Sequence, residues 1–248
     1  MAKMLNLDRF VGKLVEPYIK ELIRLSGDNI CSIILFGSAA TKDFIPRKSN
    51  INLLVVCHKI DLPDLKKYHK LVRRGRKRGI VAPLFLTERH IKSSMDVFPI
   101  EFLEMKDSHI LLHGKDVFDN MAINTENLRL ECEEQLKGKL VRLRQSYLEH
   151  GVNAKIIADS ITSFISVFRS LVRLKTRAVK VEKEKAIEEL AKLKIESQVF
   201  FTALDIKKGK CKLKRKALEI FFEKYIKEIE KLCIYTDSFK SKTKKIKK

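Results

Sequence analysis

The sequence contains no long apolar run and no recognisable cysteine pattern, and these two absences exclude several classes of protein. No stretch of its 248 residues approaches the ~20 consecutive apolar residues of a membrane-spanning helix. Residues 1–10 lack the apolar run of a signal peptide. The five cysteines, an odd number, have neither metal-binding nor redox spacing. We therefore expect a cytoplasmic protein with reduced thiols and no membrane partner.

Motifs of several common enzyme and binding classes are also absent. The chain has no phosphate-binding loop of the GxxxxGK[ST] type and no GxGxxG dinucleotide fingerprint. It also has no GxSxG hydrolase elbow and no zinc-finger spacing. A function must therefore come from a different arrangement of residues.

Acidic residues are few relative to basic ones: 31 Asp and Glu stand against 52 Lys and Arg, a net charge of +21. Such a charge favours non-specific binding of polyanions, including nucleic acids. The excess is spread along the chain, so an ordinary solvated surface is the alternative interpretation. Three basic clusters stand out, at residues 73–78, 207–216 and 240–248. The first has no aromatic residue, so it predicts contacts to a nucleic-acid backbone or a solvated helix end, without base stacking.

The first half of the chain alternates strand and helix patterns, which predicts an α/β (α+β) domain over residues 1–120. Hydrophobic periodicity and breaker residues predict helices at 5–25, 62–78, 88–95 and 107–112. Apolar runs predict strands at 30–36, 51–57, 80–86 and 97–105. Two of these strands are apolar on both faces, as buried central strands of a small mixed sheet would be.

The second half of the chain shows helical periodicity only. It predicts helices at 125–150, 154–177, 184–193, 196–206 and 214–235. Residues 121–238 are therefore predicted to form a helical bundle, in which the most apolar helix, 154–177, is central. Residues 239–248 are predicted to be a basic disordered tail.

Two polar features lie at the ends of consecutive apolar strands. Strand 30–36 leads into Gly37 and Ser38, where backbone N–H groups and a hydroxyl can approach a phosphate. Twelve residues after Ser38, Asn50 and Asn52 open the next apolar strand. Because residues i and i+2 point to the same face of a strand, the two amides are expected to project together beside the Gly-Ser turn.

This layout resembles the active-site motif of the nucleotidyltransferase superfamily related to DNA polymerase β, in particular its minimal and aminoglycoside nucleotidyltransferase-like members. Their motif is an apolar strand, Gly-Ser, a polar stretch, and then Ser-Asp-hydrophobic-Asp. Here residues 49–52 read Ser-Asn-Ile-Asn. Residues 100–116 resemble the family's late strand and its closing Leu-x-Gly-x-Asp turn. The resemblance covers roughly residues 5–120, and a trailing helical bundle also fits the aminoglycoside enzymes.

The resemblance implies a degenerate metal site. In active members two aspartates and a third carboxylate hold two Mg²⁺ ions, which grip a nucleoside triphosphate. By position the aspartates fall on Asn50 and Asn52, and the third carboxylate falls on Glu101, with Glu104 as the second choice. Mg²⁺ prefers anionic oxygens, and an asparagine amide is neutral. Losing two negative charges should lower the rate on the order of a thousandfold or more.

Phosphate binding can survive the loss of the metals. The residues expected to bind a nucleotide are Gly37, Ser38, Lys42, Arg47 and Ser49. If a metal is held at all, Glu101 and Asp43 are the expected ligands, and an active enzyme would use Mg²⁺ with a nucleoside triphosphate.

Three functions follow from these patterns. The first is a nucleotidyltransferase-fold protein that is catalytically impaired, binds nucleotide or phosphate, and has a regulatory or interaction role with a protein partner. The second is an active Mg²⁺-dependent nucleotidyltransferase that moves a nucleoside monophosphate onto a protein, RNA or small hydroxylated substrate. The third is a nucleic-acid-binding protein that acts through its charge alone.

Overall fold

The computed structural model describes residues 8–41, 44–47, 49–178, 180–239 and 245–246. Three residues around the predicted site, Lys42, Asp43 and Lys48, lie outside the described residues, and so does most of the predicted tail. The chain divides into two compact units. One contains Met1–Met95 with Glu101–Met121, and the other contains Asp96–Ile100 with Ala122–Lys248.

The first unit is built on a four-stranded mixed sheet. The strands are β1 (Ile30–Phe36), β2 (Asn52–Cys57), β3 (Leu84–Thr87) and β4 (His109–Gly114). The order across the sheet is β3-β2-β1-β4, with β1 antiparallel to β2 and β4, and β2 parallel to β3. The predicted α/β class with a small mixed sheet is therefore confirmed.

Four α-helices accompany this sheet along the chain: α1 (Arg9–Ser26), α2 (Leu62–Arg76), α3 (Glu88–Ser94) and α4 (Pro99–Asp107). A 3₁₀ turn, Gly37–Ala40, follows β1 directly. The side chain of Asp8 caps α1 by accepting hydrogen bonds from the backbone N–H groups of Phe10 and Val11, at 2.9 and 3.1 Å.

One face of the two central strands carries the core of the first unit. Leu35 and Leu53 pair across β1 and β2, and they pack in one cluster with Val15 of α1. Cys57 closes the same face, and burial raises the pKa of its thiol to about 11. That thiol is therefore a small core side chain and not a reactive group.

The structure corrects the sequence prediction between residues 97 and 112. The predicted strand 97–105 is the helix α4, and the predicted helix 107–112 is the strand β4. A short apolar run does not distinguish the two periods. The first segment has proline at its first position and contains Leu, Met and Glu, which favour a helix. The second segment is a strand because it pairs with β1, a contact that local periodicity does not encode.

The third predicted strand is shorter than expected. Residues 80–86 were predicted as one strand, whereas β3 begins at Leu84. Only an isolated bridge between Ile51 and Ile80 pairs the earlier part of the segment. Pro83 cannot donate a ladder hydrogen bond, which explains the interruption.

The second unit is a helical bundle, as predicted. Its helices are α5 (Thr125–His150), α6 (Ala154–Thr176), α7 (Lys183–Leu190), α8 (Ser197–Lys207) and α9 (Arg215–Ser238). Helix α6 contacts α5, α7, α8 and α9 and is central. A two-residue pairing joins β5 (Ile123–Asn124) to β6 (Lys245–Ile246). In the described part of the chain, no helix combines the length and apolar character that crossing a bilayer requires.

Candidate functional site

The turn after β1 has the backbone shape that the Gly-Ser motif predicts. Gly37 adopts φ +75°, a conformation that favours glycine. Its N–H donates a hydrogen bond of 3.0 Å to the carbonyl oxygen of Ser108, the residue after α4. This N–H is therefore already satisfied, and Gly37 contributes space to the site and not a phosphate donor.

The hydroxyl of Ser38 is available to bind a ligand. The residue is half-buried, and its hydroxyl has no hydrogen-bond partner within the described part of the chain. Its carbonyl oxygen accepts hydrogen bonds from the N–H and hydroxyl of Thr41, at 3.0 and 3.1 Å, which close the 3₁₀ turn. Ser38 is thus the polar side chain that this turn presents.

Asn52 lies beside the turn, as the sequence predicts. It is the first residue of β2 and pairs in register with Phe36, the last residue of β1. A Cβ atom added to Gly37 would lie 3.2 Å from the amide nitrogen Nδ2 of Asn52. The amide therefore occupies the space that the absent side chain of Gly37 leaves open.

Asn50 and Asn52 flank a buried residue. Ile51 is 1% exposed and belongs to the core cluster of the first unit, whereas Asn50 is exposed and Asn52 is half-buried. Alternation along β2 puts Asn52 on the face opposite to that cluster, and Asn50 lies two residues before the strand begins. Neither amide is hydrogen-bonded to any residue in the described ranges. The arrangement leaves two neutral polar groups available for a ligand.

Glu101 lies on a helix and not on the late strand that the sequence predicts. It is an exposed residue in the first turn of α4, and Glu104 is on the same helix. The predicted strand 97–105, which contains both glutamates, is therefore a helix. Seven residues separate Glu101 from Ser108, which makes about 10 Å along a helix axis. The structure therefore gives no support to Glu101 as a ligand beside the asparagines.

His109, which is not among the predicted site residues, lies in the same row of the sheet as Asn52. Phe36 pairs with Asn52 on one side and with His109 on the other. Directly paired residues point to the same face, so His109 and Asn52 share a face and are two strands apart, about 10 Å. The sequence contains one signal for His109: it is a polar residue at the start of an apolar run, as Asn52 is.

The ring of His109 is held in a fixed orientation. Its Nε2 lies 2.9 Å from a carboxylate oxygen of Asp116, and its Nδ1 lies 2.8 Å from the carbonyl oxygen of Lys106. Phe118 packs edge-on against the ring, with 5.0 Å between the centroids. Both ring nitrogens thus face oxygen acceptors of the protein, and these contacts fix the ring at the start of β4.

A solved structure has the same architecture as this chain. Spectinomycin adenyltransferase AAD(9) from Enterococcus faecialis, in a crystal structure with ATP and spectinomycin, superimposes with a TM-score of 0.55. The match covers 88% of this chain and 98% of that one, at 10% sequence identity. The chain has a nucleotidyltransferase-like fold. No family model and no curated protein sequence matches it.

The residues that lie beside Asn52 on the neighbouring strands of the sheet carry no carboxylate. On one side are Phe36 and His109. On the other side, residues 81–83 lie between the Ile51–Ile80 bridge and the Leu54–Leu84 pair, and they read Val-Ala-Pro.

Within the described ranges, no group of three or more His, Cys, Asp or Glu side chains is placed to hold a metal ion. Among the described residues, the polar side chains without a partner at the Gly-Ser turn and the start of β2 are two amides and a hydroxyl, which do not fit a pair of Mg²⁺ ions.

The loop before β2 uses one predicted site residue for its own structure. The N–H of Ser49 donates to the carbonyl of Ile45 at 2.8 Å, and its hydroxyl oxygen accepts from the N–H of Ile45 at 3.0 Å. Arg47, at the tip of this turn, has φ +65° and is exposed. Ser49 thus stabilises the loop before β2. Arg47 is the basic residue of this loop that the structure describes.

Proposed function

We propose that this chain is a catalytically impaired nucleotidyltransferase-fold protein that binds a nucleoside triphosphate without metal ions and acts in a regulatory or interaction role. One observation carries the proposal. Asn52 opens β2 against Gly37, in the position where the resemblance puts an aspartate, and its group there is an amide. The shared fold supports the proposal but does not transfer a substrate.

The two amides should favour the metal-free nucleoside triphosphate over its Mg²⁺ complex. A carboxylate repels a triphosphate unless a cation lies between them, whereas the NH₂ group of an asparagine can donate to a phosphate oxygen directly. Asn50, Asn52 and the hydroxyl of Ser38 thus form a neutral donor set. We expect it to bind the metal-free triphosphate at least as tightly as the Mg²⁺ complex.

The first test measures binding of ATP by isothermal titration with EDTA and, separately, with excess Mg²⁺. The wild-type chain should bind in EDTA. The double variant Asn50→Asp, Asn52→Asp should lose affinity at least about tenfold in EDTA, because two carboxylates face the triphosphate, and should recover it with Mg²⁺.

A matched variant separates charge from lost contacts. Asn50→Ala, Asn52→Ala removes the amides without adding charge, so it should weaken binding by a similar factor in both solutions. If the aspartate variant binds as the wild type does in EDTA and gains nothing from Mg²⁺, the two positions do not face the ligand and the proposal fails.

A turnover assay tests whether the nucleotidyltransferase activity is impaired. The chain is incubated with labelled ATP, CTP, GTP or UTP and Mg²⁺, with release of pyrophosphate as the readout. We expect no turnover above background. Turnover that disappears in Glu101→Gln or Asp43→Asn would show an active metal-dependent enzyme and overturn the proposal.

A further inference from the structure

Four cations form a single stripe along the exposed face of α2. Lys70, Arg73, Arg74 and Lys77 are spaced i, i+3, i+4 and i+7, so they share one side of the helix. All four are exposed, and they alone line a groove with a volume of about 410 Å³. We refer to these four residues as the α2 stripe.

The positive charge of the α2 stripe is hardly compensated. Arg74 lies 3.9 Å from Glu21 of α1, but that carboxylate already accepts two hydrogen bonds from Arg24, at 2.8 and 2.9 Å. Across the described ranges, Lys70, Arg73 and Lys77 have no acidic partner within ion-pair distance. Like charges at these spacings repel, so an anion bound here removes a cost that the free protein carries.

The other face of α2 is committed to the core of the first unit. Tyr68, Leu71 and Gly75 are buried, and a Cβ atom at Gly75 would lie 2.6 Å from the ring of Tyr18 in α1. The exposed apolar residues of α2, Leu62 and Leu65, lie in its first turn, before the α2 stripe begins. The α2 stripe itself therefore offers a partner charge and no apolar surface to insert into a membrane.

The composition of the α2 stripe favours phosphate groups in a chain. Arginine presents a planar fork that binds phosphate oxygens with two parallel hydrogen bonds, and the stripe contains two arginines. It has no aromatic side chain on which a base could stack. Contacts of this kind position a nucleic acid but do not read its sequence.

We propose that the α2 stripe binds the phosphodiester backbone of a nucleic acid, without sequence preference. The inference is independent of nucleotide binding at the asparagine pair, since none of the four cations belongs to that site. RNA and DNA carry the same backbone phosphates, and the experiment distinguishes them.

The test compares two variants with the same change in charge. The stripe variant carries Lys70→Gln, Arg73→Gln, Arg74→Gln and Lys77→Gln. The control variant carries four glutamines at exposed lysines around the loop after α8: Lys208→Gln, Lys210→Gln, Lys212→Gln and Lys214→Gln. Circular dichroism and ATP titration check that both variants remain folded and that the asparagine site is unchanged.

Fluorescence anisotropy measures binding to a single-stranded RNA, a single-stranded DNA and a DNA duplex, each of mixed sequence, between about 50 and 200 mM salt. The stripe variant should lose on the order of a hundredfold in affinity at the lowest salt, and its log–log salt slope should fall by about 3. The control variant should lose less than about threefold, with its slope unchanged. The nucleic acid whose affinity falls most in the stripe variant is the one that the α2 stripe prefers.

Three results would overturn the proposal. Equal losses in the two variants would mean that only net charge matters. No loss in the stripe variant would mean that binding occurs elsewhere. Polyglutamate that binds as tightly as RNA and loses affinity in the same variant would mean that the stripe takes an acidic protein segment.

Discussion

At the scale of single residues, two glycines of the first unit have the same backbone requirement but different surroundings. Gly114 at the end of β4 has φ +74°, and Gly79 after α2 has φ +83°. A Cβ atom at Gly114 would lie 1.9 Å from the carbonyl oxygen of Cys31, whereas nothing lies within 4 Å of one at Gly79. Only Gly114 is required by both conformation and space.

Substituting the two glycines with alanine should separate these requirements. Gly79→Ala should cost about 1 kcal/mol of unfolding free energy, for a left-handed backbone alone. Gly114→Ala should cost about 3 kcal/mol or more, because strands β1 and β4 must also move apart. Urea unfolding followed by circular dichroism measures both. Equal losses would contradict the close approach of β4 to Cys31.

Single residues also decide how much of the candidate site could be predicted from the sequence. The asparagine pair and the Gly-Ser turn could be found from the sequence, because each is a local pattern at the end of an apolar run. The contact of Asn52 with Gly37 and the position of His109 could not, because both depend on the register of paired strands. Gly37 was expected to offer its N–H to phosphate, but Ser108 already accepts that hydrogen bond.

At the scale of elements, α5 carries an ion-pair network along one side. Glu133 accepts hydrogen bonds from Lys137 at 2.6 Å and from Arg129 at 2.7 Å. These contacts, the one from Lys137 first, lower the pKa of Glu133 from 4.5 to about 2. Because the folded pKa is the lower one, the stabilisation is present above about pH 4.5 and is lost as the pH falls towards 2.

Glu133→Gln should therefore reduce stability in a pH-dependent way. The side chain is 19% exposed, so solvent screens the pairs, and we expect a loss of about 1 kcal/mol at pH 7. The difference from wild type should shrink below about pH 4.5 and vanish near pH 2. Thermal unfolding across this range measures it.

The matched control for this prediction is Glu134→Gln. Glu134 is the next residue on α5, is exposed, and has no ion-pair partner among the residues that the structure describes. Its substitution should leave stability nearly unchanged at every pH. A constant difference between Glu133→Gln and wild type down to pH 2 would show that the network does not act through charge.

The elements themselves were largely predictable, and the exceptions have a physical cause. Long helices such as α5 and α6 repeat buried apolar residues at helical spacing over several turns, so the period is unambiguous. Residues 97–112 contain two short apolar runs, and the predicted strand there is a helix and the predicted helix a strand. The outcome was set by pairing with β1, which no local pattern contains.

At the scale of the whole molecule, the net charge of +21 acts against the compact state. Folding brings like charges together, and salt screens their repulsion over the ~10 Å of a Debye length at 0.1 M. The melting temperature should therefore rise by about 2–4 °C between low salt and about 0.3 M NaCl. Differential scanning calorimetry measures this change. A melting temperature that falls with salt would show that favourable ion pairs outweigh the repulsion.

The division of the chain into units shows a second effect of long-range contacts. The predicted boundary at residue 120 remains a prediction, and the structure groups residues 96–100 with the helical unit. There the N–H of Ile100 donates to the buried carboxylate of Glu131 on α5, at 2.7 Å. A carboxylate 31 residues away thus holds this short segment, and sequence proximity does not reveal it.

The sequence by itself determined the α/β and helical halves, the Gly-Ser turn, the asparagine pair and the i, i+3, i+4, i+7 spacing of the α2 stripe. Each follows from hydrophobic period or residue chemistry within a few neighbours. Only the tertiary structure decided that Asn52 fills the space beside Gly37, that His109 joins its row, and that Glu101 belongs to a helix. Those outcomes depend on strand register and on which backbone groups pair across the fold, and both are set by contacts between distant segments.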